Sequence, residues 1–173
     1  MSEFKPVTAE STRPVIRSSP SNTCCLDPIP TWLLKENIDI LLPGLVDRVN
    51  ISLATATFPS SFKKSIVTPL LKKPSLDHEV LKNYRPVSNL AFVSKIIEKS
   101  VALQLNDHLS NHGLLEVYQA AYKRLHSTET ALLKVQNDIL VDLDNRKAVS
   151  LLFLDLSSGF DTVDHATLIK RLK

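Results

Sequence analysis

The chain has 173 residues, of which 43% are hydrophobic and 23% are charged, as is ordinary for a globular domain. No apolar run reaches the ~18 residues that a membrane-spanning helix needs. Met1–Ser21 lacks the apolar centre of a secretory signal peptide. The formal net charge of +3 is too small to single out a nucleic-acid binder. We therefore expect an intracellular protein without a membrane segment.

Residues 1–23 are rich in Ser, Thr and Pro and show no apolar periodicity, so they predict a flexible arm before a domain at residues 24–173. The neighbouring Cys24 and Cys25 lack further Cys or His residues at zinc-finger spacing. Adjacent cysteines rarely bridge each other without strain, and we predict two free thiols in a reducing compartment.

Apolar residues recur at three- and four-residue steps from Ile38 to Leu53 and predict helix, with Thr31 as a candidate N-cap upstream. Pro43 interrupts this run, so we expect two helices or a kink at that position.

Two short β-type runs, residues 65–71 and 84–88, flank a polar loop and predict a β-hairpin. Pro69 and Pro86 each lack a ladder donor, so these strands should be edges or irregular.

Residues 63–95 contain seven basic and two acidic side chains, a net charge of +5. This charge suits phosphate groups, although a solvated lysine surface is the simpler explanation of charge alone.

Val93–Leu109 predicts an amphipathic helix that ends at Gly113. Its apolar stripe consists of Ile96, Ile97, Val101, Leu105 and Leu109. Ser127 or Thr128 should begin another helix, although the capping-box spacing is imperfect.

His108 and His112 are four residues apart, as zinc ligands on a helix can be. No third ligand is evident, so a polar helix end is the favoured interpretation.

Val149–Leu154 is a continuous apolar run, typical of a strand buried on both faces, and it ends at Asp155. A carboxylate in that position needs a partner, and magnesium prefers such hard oxygen ligands. Polymerases use two such ions ~3.5–4 Å apart, which would require another carboxylate from elsewhere. The alternative is that Asp155, like Asp161 and Asp164, caps the helix predicted near 164–172 or is a surface charge.

Residues 154–165, LDLSSGFDTVDH, closely resemble the first palm motif of reverse transcriptases from LINE-type (non-LTR) retrotransposons, where jockey-like families usually carry LDLSAAFDTVDH. Other segments resemble blocks of that family in the same order: 26–35 (LDPIPTWLLK), 58–63 (FPSSFK), 67–74 (VTPLLKKP), 83–90 (NYRPVSNL), 94–99 (SKIIEK) and 126–133 (HSTETALL). The resemblance covers roughly residues 24–173, and the shared order makes chance a poor explanation.

The resemblance implies an α/β (α+β) chain with part of the right-hand polymerase fold: a helical N-terminal region, a fingers β-hairpin and the first palm strand. It implies RNA-directed DNA polymerisation with two Mg²⁺ ions, an RNA template, a DNA primer and dNTP substrates. It also implies a location in the nucleus or in a cytoplasmic ribonucleoprotein. The oligomeric state stays open.

The resemblance assigns a role to five residues. Asp155 would be the first catalytic carboxylate and a metal ligand, and the Leu156 carbonyl would be a further metal ligand beside the nucleotide. Phe160 would be the aromatic gate against a ribose 2′-hydroxyl, or a core anchor. Lys73 and Arg85 would contact the incoming triphosphate, with Lys72 competing for the role of Lys73.

The chain departs from the family pattern at Gly159, where Ala is usual, and glycine loosens the backbone beside Phe160. No paired Asp-Asp motif follows before Lys173, so we expect the chain to be an N-terminal fragment that is inactive alone. Two alternatives remain, a non-enzymatic nucleic-acid-binding remnant of a retroelement and a poorly folded product with an exposed apolar strand edge. Gln119–Lys123 differs from the related family segment and receives no catalytic role.

Overall fold

A computed structural model describes residues 3–156, 159 and 162–172. The chain divides into an N-terminal unit, Met1–Leu115, and a C-terminal unit, Glu116–Lys173. The N-terminal unit contains α1 (Ala9–Ser18), α2 (Thr31–Glu36), α3 (Ile38–Thr55), β1 (Ser65–Leu71), β2 (Tyr84–Leu90) and α4 (Phe92–Asn111). The C-terminal unit contains α5 (Thr128–Asp144) and α6 (His165–Leu172). This mixture of helices and a small sheet confirms the α/β (α+β) class. Among the described residues, no helix combines the length and the apolar character needed to cross a membrane.

The core of the N-terminal unit lies among its helices. Its buried side chains are Ile16, Leu34, Ile38, Leu42, Leu45, Val49, Phe92, Ile96 and Ile97. The apolar stripe predicted on α4 is confirmed at Ile96 and Ile97, each 1% exposed. Helices α1, α3 and α4 therefore share one apolar interior, as amphipathic helices in a globular unit must.

Helix α1 lies within the segment for which the sequence predicted a flexible arm. Its N-cap Thr8 and Ser11 form a reciprocal capping box. Two side-chain amides bind the backbone that leads into it: Asn50 Oδ1 accepts from the Val7 N–H at 2.7 Å, and Gln104 Oε1 accepts from the Lys5 N–H at 2.8 Å. The apolar face of this helix is short, because only Val15 and Ile16 contribute buried apolar side chains. Periodicity could not show it for that reason.

The boundary between α2 and α3 is at Asn37, so the prediction that two helices would be separated at Pro43 is wrong. The Asn37 side-chain amide and backbone N–H both donate to the Leu33 carbonyl, at 2.9 and 3.1 Å, and terminate α2. Pro43 lies inside α3. Thr31 is the first residue of α2 and not its N-cap, since Pro30 holds that position without a side-chain bond.

The predicted hairpin is confirmed: β1 and β2 pair antiparallel, with Ser65 opposite Leu90 and Leu71 opposite Tyr84. The two strands form a two-stranded sheet, so both are edge strands, as Pro69 and Pro86 required.

The predicted C-terminal end of α4 and the predicted start of α5 are also confirmed. Gly113 has φ +63° after α4. The N–H groups of Gly113 and Leu114 donate to the carbonyls of Ser110 and Leu109, at 3.2 and 2.9 Å, in a Schellman arrangement. Ser127 caps α5 in a capping box with Thr130, a shorter side chain than the usual Glu.

The prediction of a buried strand at Val149–Leu154 is wrong in this structure. Residues 147–156 have no regular secondary structure and are exposed, with Phe153 80% and Leu154 84% accessible. A strand needs a hydrogen-bonded neighbour and a covering layer to bury both faces. No described residue of the C-terminal unit pairs with this segment as a strand, and α5 itself buries no side chain.

Candidate nucleotide-binding and metal-binding residues

Arg85 lies on β2 directly opposite Leu70 of β1. Side chains alternate across a strand, so Arg85 shares a face of the hairpin with Val87 and Asn89. The Asn89 amide donates to Thr68 Oγ1 at 3.2 Å across that face. Arg85 is exposed and forms no ion pair with any residue in the described part of the chain. Its guanidinium is therefore available to an external anion.

The loop between β1 and β2 is held by hydrogen bonds from side chains at its base. The Asn83 amide donates to the Asp77 carbonyl at 2.7 Å, and Tyr84 Oη donates to the His78 carbonyl at 3.1 Å. The carboxylate of Asp77 accepts from the Glu79 N–H at 2.9 Å. These bonds satisfy polar groups inside the loop and give it a defined path, although it has no sheet partner.

Lys72 and Lys73 differ in what their ammonium groups do. Lys72 Nζ donates to the Lys82 carbonyl across the loop at 2.8 Å. Its backbone N–H donates to the Asn83 carbonyl at 2.8 Å, which continues the hairpin register. Lys73 is exposed, and the structure shows no hydrogen bond or ion pair from its ammonium to a described residue. The geometry therefore favours Lys72 as a loop tether and leaves Lys73 available for a ligand.

The base of the hairpin is fixed at both strands. Ahead of β1, the Phe62 carbonyl accepts from Ser94 Oγ at 2.8 Å. Behind β2, Asp27 Oδ1 accepts from the Phe92 N–H at 2.5 Å. The sequence did not indicate a role for Asp27, because its partner is 65 residues away along the chain.

Asp155 and Leu156 belong to the C-terminal unit, whereas Lys73 and Arg85 belong to the N-terminal unit. Asp155 is exposed, and its carboxylate forms no hydrogen bond or ion pair with another described residue. Because Asp155 is exposed, water can solvate its carboxylate, and burial does not force a partner on it. Phe160, the candidate gate, and Asp161 lie outside the described residues.

Helix α6 is capped by Asp164 and not by Asp155. Asp164 Oδ1 accepts from the Thr167 N–H at 2.6 Å, and this hydrogen bond is the main cause that lowers the pKa of Asp164. The cap that the sequence offered as an alternative for Asp164 is confirmed. The Asp155 carboxylate caps no helix in the described part of the chain, so it is available to bind a ligand.

A magnesium ion would find two suitable oxygen donors here, the exposed Asp155 carboxylate and the Leu156 backbone carbonyl. These donors fit the ion in type, but they are too few for a complete site. Within the described residues, no group of three or more His, Cys, Asp or Glu side chains is placed to hold a metal. At least one further carboxylate would have to join Asp155.

The two histidines at the end of α4 contact each other. Their ring centroids are 4.2 Å apart, and His112 Nδ1 lies 2.8 Å from the His108 carbonyl oxygen. A ring nitrogen in that position serves the helix end, which agrees with the polar-end interpretation.

The chain is similar to known reverse transcriptases, which copy RNA into DNA, both by family model and by individual relatives. The model of the family described as "Reverse transcriptase (RNA-dependent DNA polymerase)" matches residues 71–173. The chain is 30% identical over 124 residues to a Drosophila melanogaster protein named "Probable RNA-directed DNA polymerase from transposon BS", covering 72% of the chain and 14% of that protein. It is 29% identical over 116 residues to the corresponding probable polymerase of transposon X-element from the same species, covering 67% and 13%.

A third relative is the "RNA-directed DNA polymerase from mobile element jockey" of Drosophila funebris, 25% identical over 171 residues, covering 97% of the chain and 18% of the relative. The chain thus spans less than a fifth of each of these relatives. No solved structure matches it. The matched stretch covers more than half of the chain and contains Lys73, Arg85 and Asp155, and the chain belongs to the reverse transcriptase family.

Proposed function

We propose that the chain supplies the triphosphate-binding cations of the fingers and the first metal-binding carboxylate of a LINE-type RNA-directed DNA polymerase. The observation that carries this proposal is the hairpin β1–β2. Arg85 lies on this hairpin without an ion-pair partner among the described residues. In the adjoining loop, the Lys72 ammonium donates to the Lys82 carbonyl, whereas the Lys73 ammonium bonds to no described residue. The family match over the same residues supports it.

Each residue has a distinct task in this proposal. Arg85 presents a planar fork of N–H donors that binds two phosphate oxygens at once, and Lys73 adds a point charge. Asp155 and the Leu156 carbonyl hold magnesium at the polymerising site. When bound, the ions would activate the primer 3′-hydroxyl and stabilise the leaving pyrophosphate. Phe160 crowds a ribose 2′-hydroxyl and so favours deoxynucleotides.

The macromolecular partners are an RNA template and a DNA primer. Exposed lysines that flank the base of the hairpin, Lys63 and Lys64 ahead of β1 and Lys95 in the first turn of α4, are suited to contact the nucleic-acid backbone without reading its sequence. The site of action is the nucleus or a cytoplasmic ribonucleoprotein. The free thiols of Cys24 and Cys25 are compatible with both.

One carboxylate cannot hold two metal ions, so the chain by itself should not extend a primer. The remaining carboxylates would come from elsewhere in a longer polypeptide. Incubation of the chain with an RNA template, a DNA primer, dNTPs and magnesium should yield no extended product. Robust extension would show that the metal site is complete within these residues.

Titration of the chain with a dNTP or with inorganic tripolyphosphate at low salt tests the nucleotide contact. Arg85→Ala should raise the dissociation constant by about tenfold or more, because a hydrogen bond to a charged group contributes ~1.5–3 kcal/mol. Arg48→Ala removes the same charge from an exposed position on α3 and is the matched control. Equal losses in the two variants would reduce the effect to net charge and refute the assignment of Arg85.

The charge of residues 63–95 favours one other function, that of a nucleic-acid-binding remnant without catalysis. A remnant of this kind should bind single-stranded RNA in a salt-sensitive and sequence-independent way, with a slope set by the number of phosphates that it neutralises. RNA binding without measurable triphosphate binding would favour the remnant over the polymerase.

A further inference from the structure

Asp27 connects two segments that are far apart in the sequence. Its backbone N–H donates to the Cys24 carbonyl at 2.9 Å, and its Oδ2 accepts from the Cys24 N–H at 2.7 Å, which closes a tight turn. The other carboxylate oxygen, Oδ1, accepts from the Phe92 N–H at 2.5 Å. One half-buried side chain thus joins the turn at 24–27 to the first residue of α4.

Helix α4 lacks an N-terminal cap of its own. Its N-cap residue is Ala91, which has no side-chain acceptor. The first N–H groups of a helix have no partner inside the helix and carry partial positive charge. Asp27 supplies both the missing acceptor and a negative charge, in the way that a local N-cap would, but from a distant part of the chain.

The turn that carries Asp27 is itself held in place. The Thr31 N–H donates to Thr23 Oγ1 at 3.1 Å, and Thr31 Oγ1 donates to the Asn22 carbonyl at 3.3 Å. On the other side of the turn, Cys24 Sγ donates to the Asn89 carbonyl at 3.6 Å. The carboxylate therefore acts from a rigid base and not from a loose loop.

Only Ala91 separates β2 from α4, so the position of the Phe92 amide sets the direction in which β2 leaves the core. Arg85 precedes Phe92 by seven residues, about 23 Å of extended chain at ~3.3 Å per residue, and a 10° tilt at the base would displace it by about 4 Å. Hydrogen bonds to phosphate tolerate only a few tenths of an ångström. Loss of the hydrogen bond between the Phe92 N–H and Asp27 would therefore displace Arg85 by more than a bond to phosphate tolerates.

We infer that Asp27 is a positioning residue for the β1–β2 hairpin and fixes the orientation of Arg85 through the β2–α4 junction. This inference rests on the proposed function only for the consequence at the triphosphate. The orientation of the hairpin is a separate and independently measurable property.

Residual dipolar couplings of backbone amides in the weakly aligned 173-residue chain measure that orientation directly. In the native chain, the amides of β1, β2, α3 and α4 should fit a single alignment tensor. In Asp27→Ala, α3 and α4 should still share a tensor, whereas the hairpin couplings should shrink and depart from it. Asp27→Asn keeps the shape and one acceptor oxygen, so its effect should be intermediate. Asp47→Ala, an exposed acid on α3, is the control that should change neither.

Tripolyphosphate affinity links the orientation to Arg85. Asp27→Ala should raise the dissociation constant about threefold or more, within the range by which a lost helix cap changes an equilibrium. The same substitution should have no further effect in an Arg85→Ala background, since it acts through that residue. A purely structural loss of stability would lower affinity in both backgrounds.

The outcomes separate the two claims. Hairpin couplings that still fit the helices in Asp27→Ala would overturn the inference, and so would altered couplings with unchanged tripolyphosphate affinity while Arg85→Ala weakens it. If Arg85→Ala itself has no effect on affinity, the proposed nucleotide contact fails. The couplings then decide alone whether Asp27 orients the hairpin.

Discussion

Pro69 and Pro86 lie directly opposite each other in the hairpin. Opposed residues of an antiparallel pair alternate between hydrogen-bonded and non-hydrogen-bonded positions. The Lys72 N–H donates to the Asn83 carbonyl at the end of the same register, so the proline pair falls on a non-hydrogen-bonded position. There the N–H of each strand would point outward, away from its partner. The pair therefore costs the hairpin no internal bond and removes one donor from each outer edge.

This arrangement predicts that the prolines protect the hairpin against pairing with other chains. Pro86→Val should restore an outward donor in an exposed strand, and we expect increased self-association, measured by light scattering and size-exclusion chromatography. Ser88→Val adds the same apolar side chain on the same strand and face without adding a donor, and it is the matched control. Equal association of the two variants would attribute the effect to apolar surface and contradict the role of the missing donor.

The second prediction concerns the anchoring of α1 by Asn50. This side chain accepts from the Val7 N–H at 2.7 Å and donates to the Val7 carbonyl at 3.0 Å, in a part-buried position. Asn50→Ala should lower the free energy of unfolding by about 1–2 kcal/mol, since each hydrogen bond contributes ~0.5–1.5 kcal/mol and the lost partners are poorly solvated. Urea unfolding followed by the fluorescence of Trp32, the single tryptophan, measures this change.

Gln104→Ala provides the comparison for Asn50→Ala. Gln104 makes the same pair of bonds to the backbone of Lys5, at 2.8 and 2.9 Å, but in an exposed position. Water can replace the lost bonds there, so the loss of stability should be smaller. A larger effect of Gln104→Ala would show that the exposed clamp, and not the part-buried one, holds the N-terminal segment.

Local patterns predicted the hairpin, the C-terminal end of α4 and the start of α5 correctly, because each depends on neighbours in the sequence. Two short β-type runs around a polar loop indicate the hairpin, Gly113 suits the left-handed position after α4, and Ser127 is a good N-cap for α5. Helix α1 was missed because it buries only two apolar side chains, and because the backbone ahead of it is held by Asn50 and Gln104, which are far away in the sequence. Val149–Leu154 has the composition of a buried strand, but burial depends on partners that composition cannot supply.

In the candidate site, too, features set by the local sequence could be predicted, whereas features set by contacts across the fold could not. Arg85 could be selected from its sequence block, and its exposed position on β2 agrees with that choice. Sequence could not separate Lys72 from Lys73, because their difference lies in a bond across the loop to Lys82. It could not indicate Asp27 either, since the partner of its carboxylate is the backbone of Phe92.

The third prediction concerns the pH dependence of α6. The hydrogen bond from the Thr167 N–H lowers the pKa of Asp164 below its ordinary value of 3.8. A lowered pKa in the folded helix means that the stabilisation is complete above pH 3.8 and is lost as the pH falls through the folded value. The helical ¹³Cα shifts of residues 165–171 should therefore decrease as the solution is acidified below pH 3.8 and through the lowered pKa of Asp164.

Asp164→Asn is the control for this titration, because Asn is an equally good N-cap that does not titrate. Its helical shifts should stay level over the same pH range. A parallel decrease in Asp164→Asn would mean that α6 melts in acid for a reason other than its cap.

The fourth prediction separates the two lysines of the hairpin loop. Lys73→Ala should raise the dissociation constant for tripolyphosphate at low salt by about threefold to tenfold, because one direct charge contact is lost. Lys72→Ala removes an equal charge, but its ammonium is already engaged by the Lys82 carbonyl at 2.8 Å, so its effect on affinity should be smaller. The expected signature of Lys72→Ala is faster hydrogen exchange in the loop, measured at the Asn83 and Leu76 amides. A greater loss of affinity in Lys72→Ala, with loop exchange unchanged, would assign the triphosphate contact to Lys72.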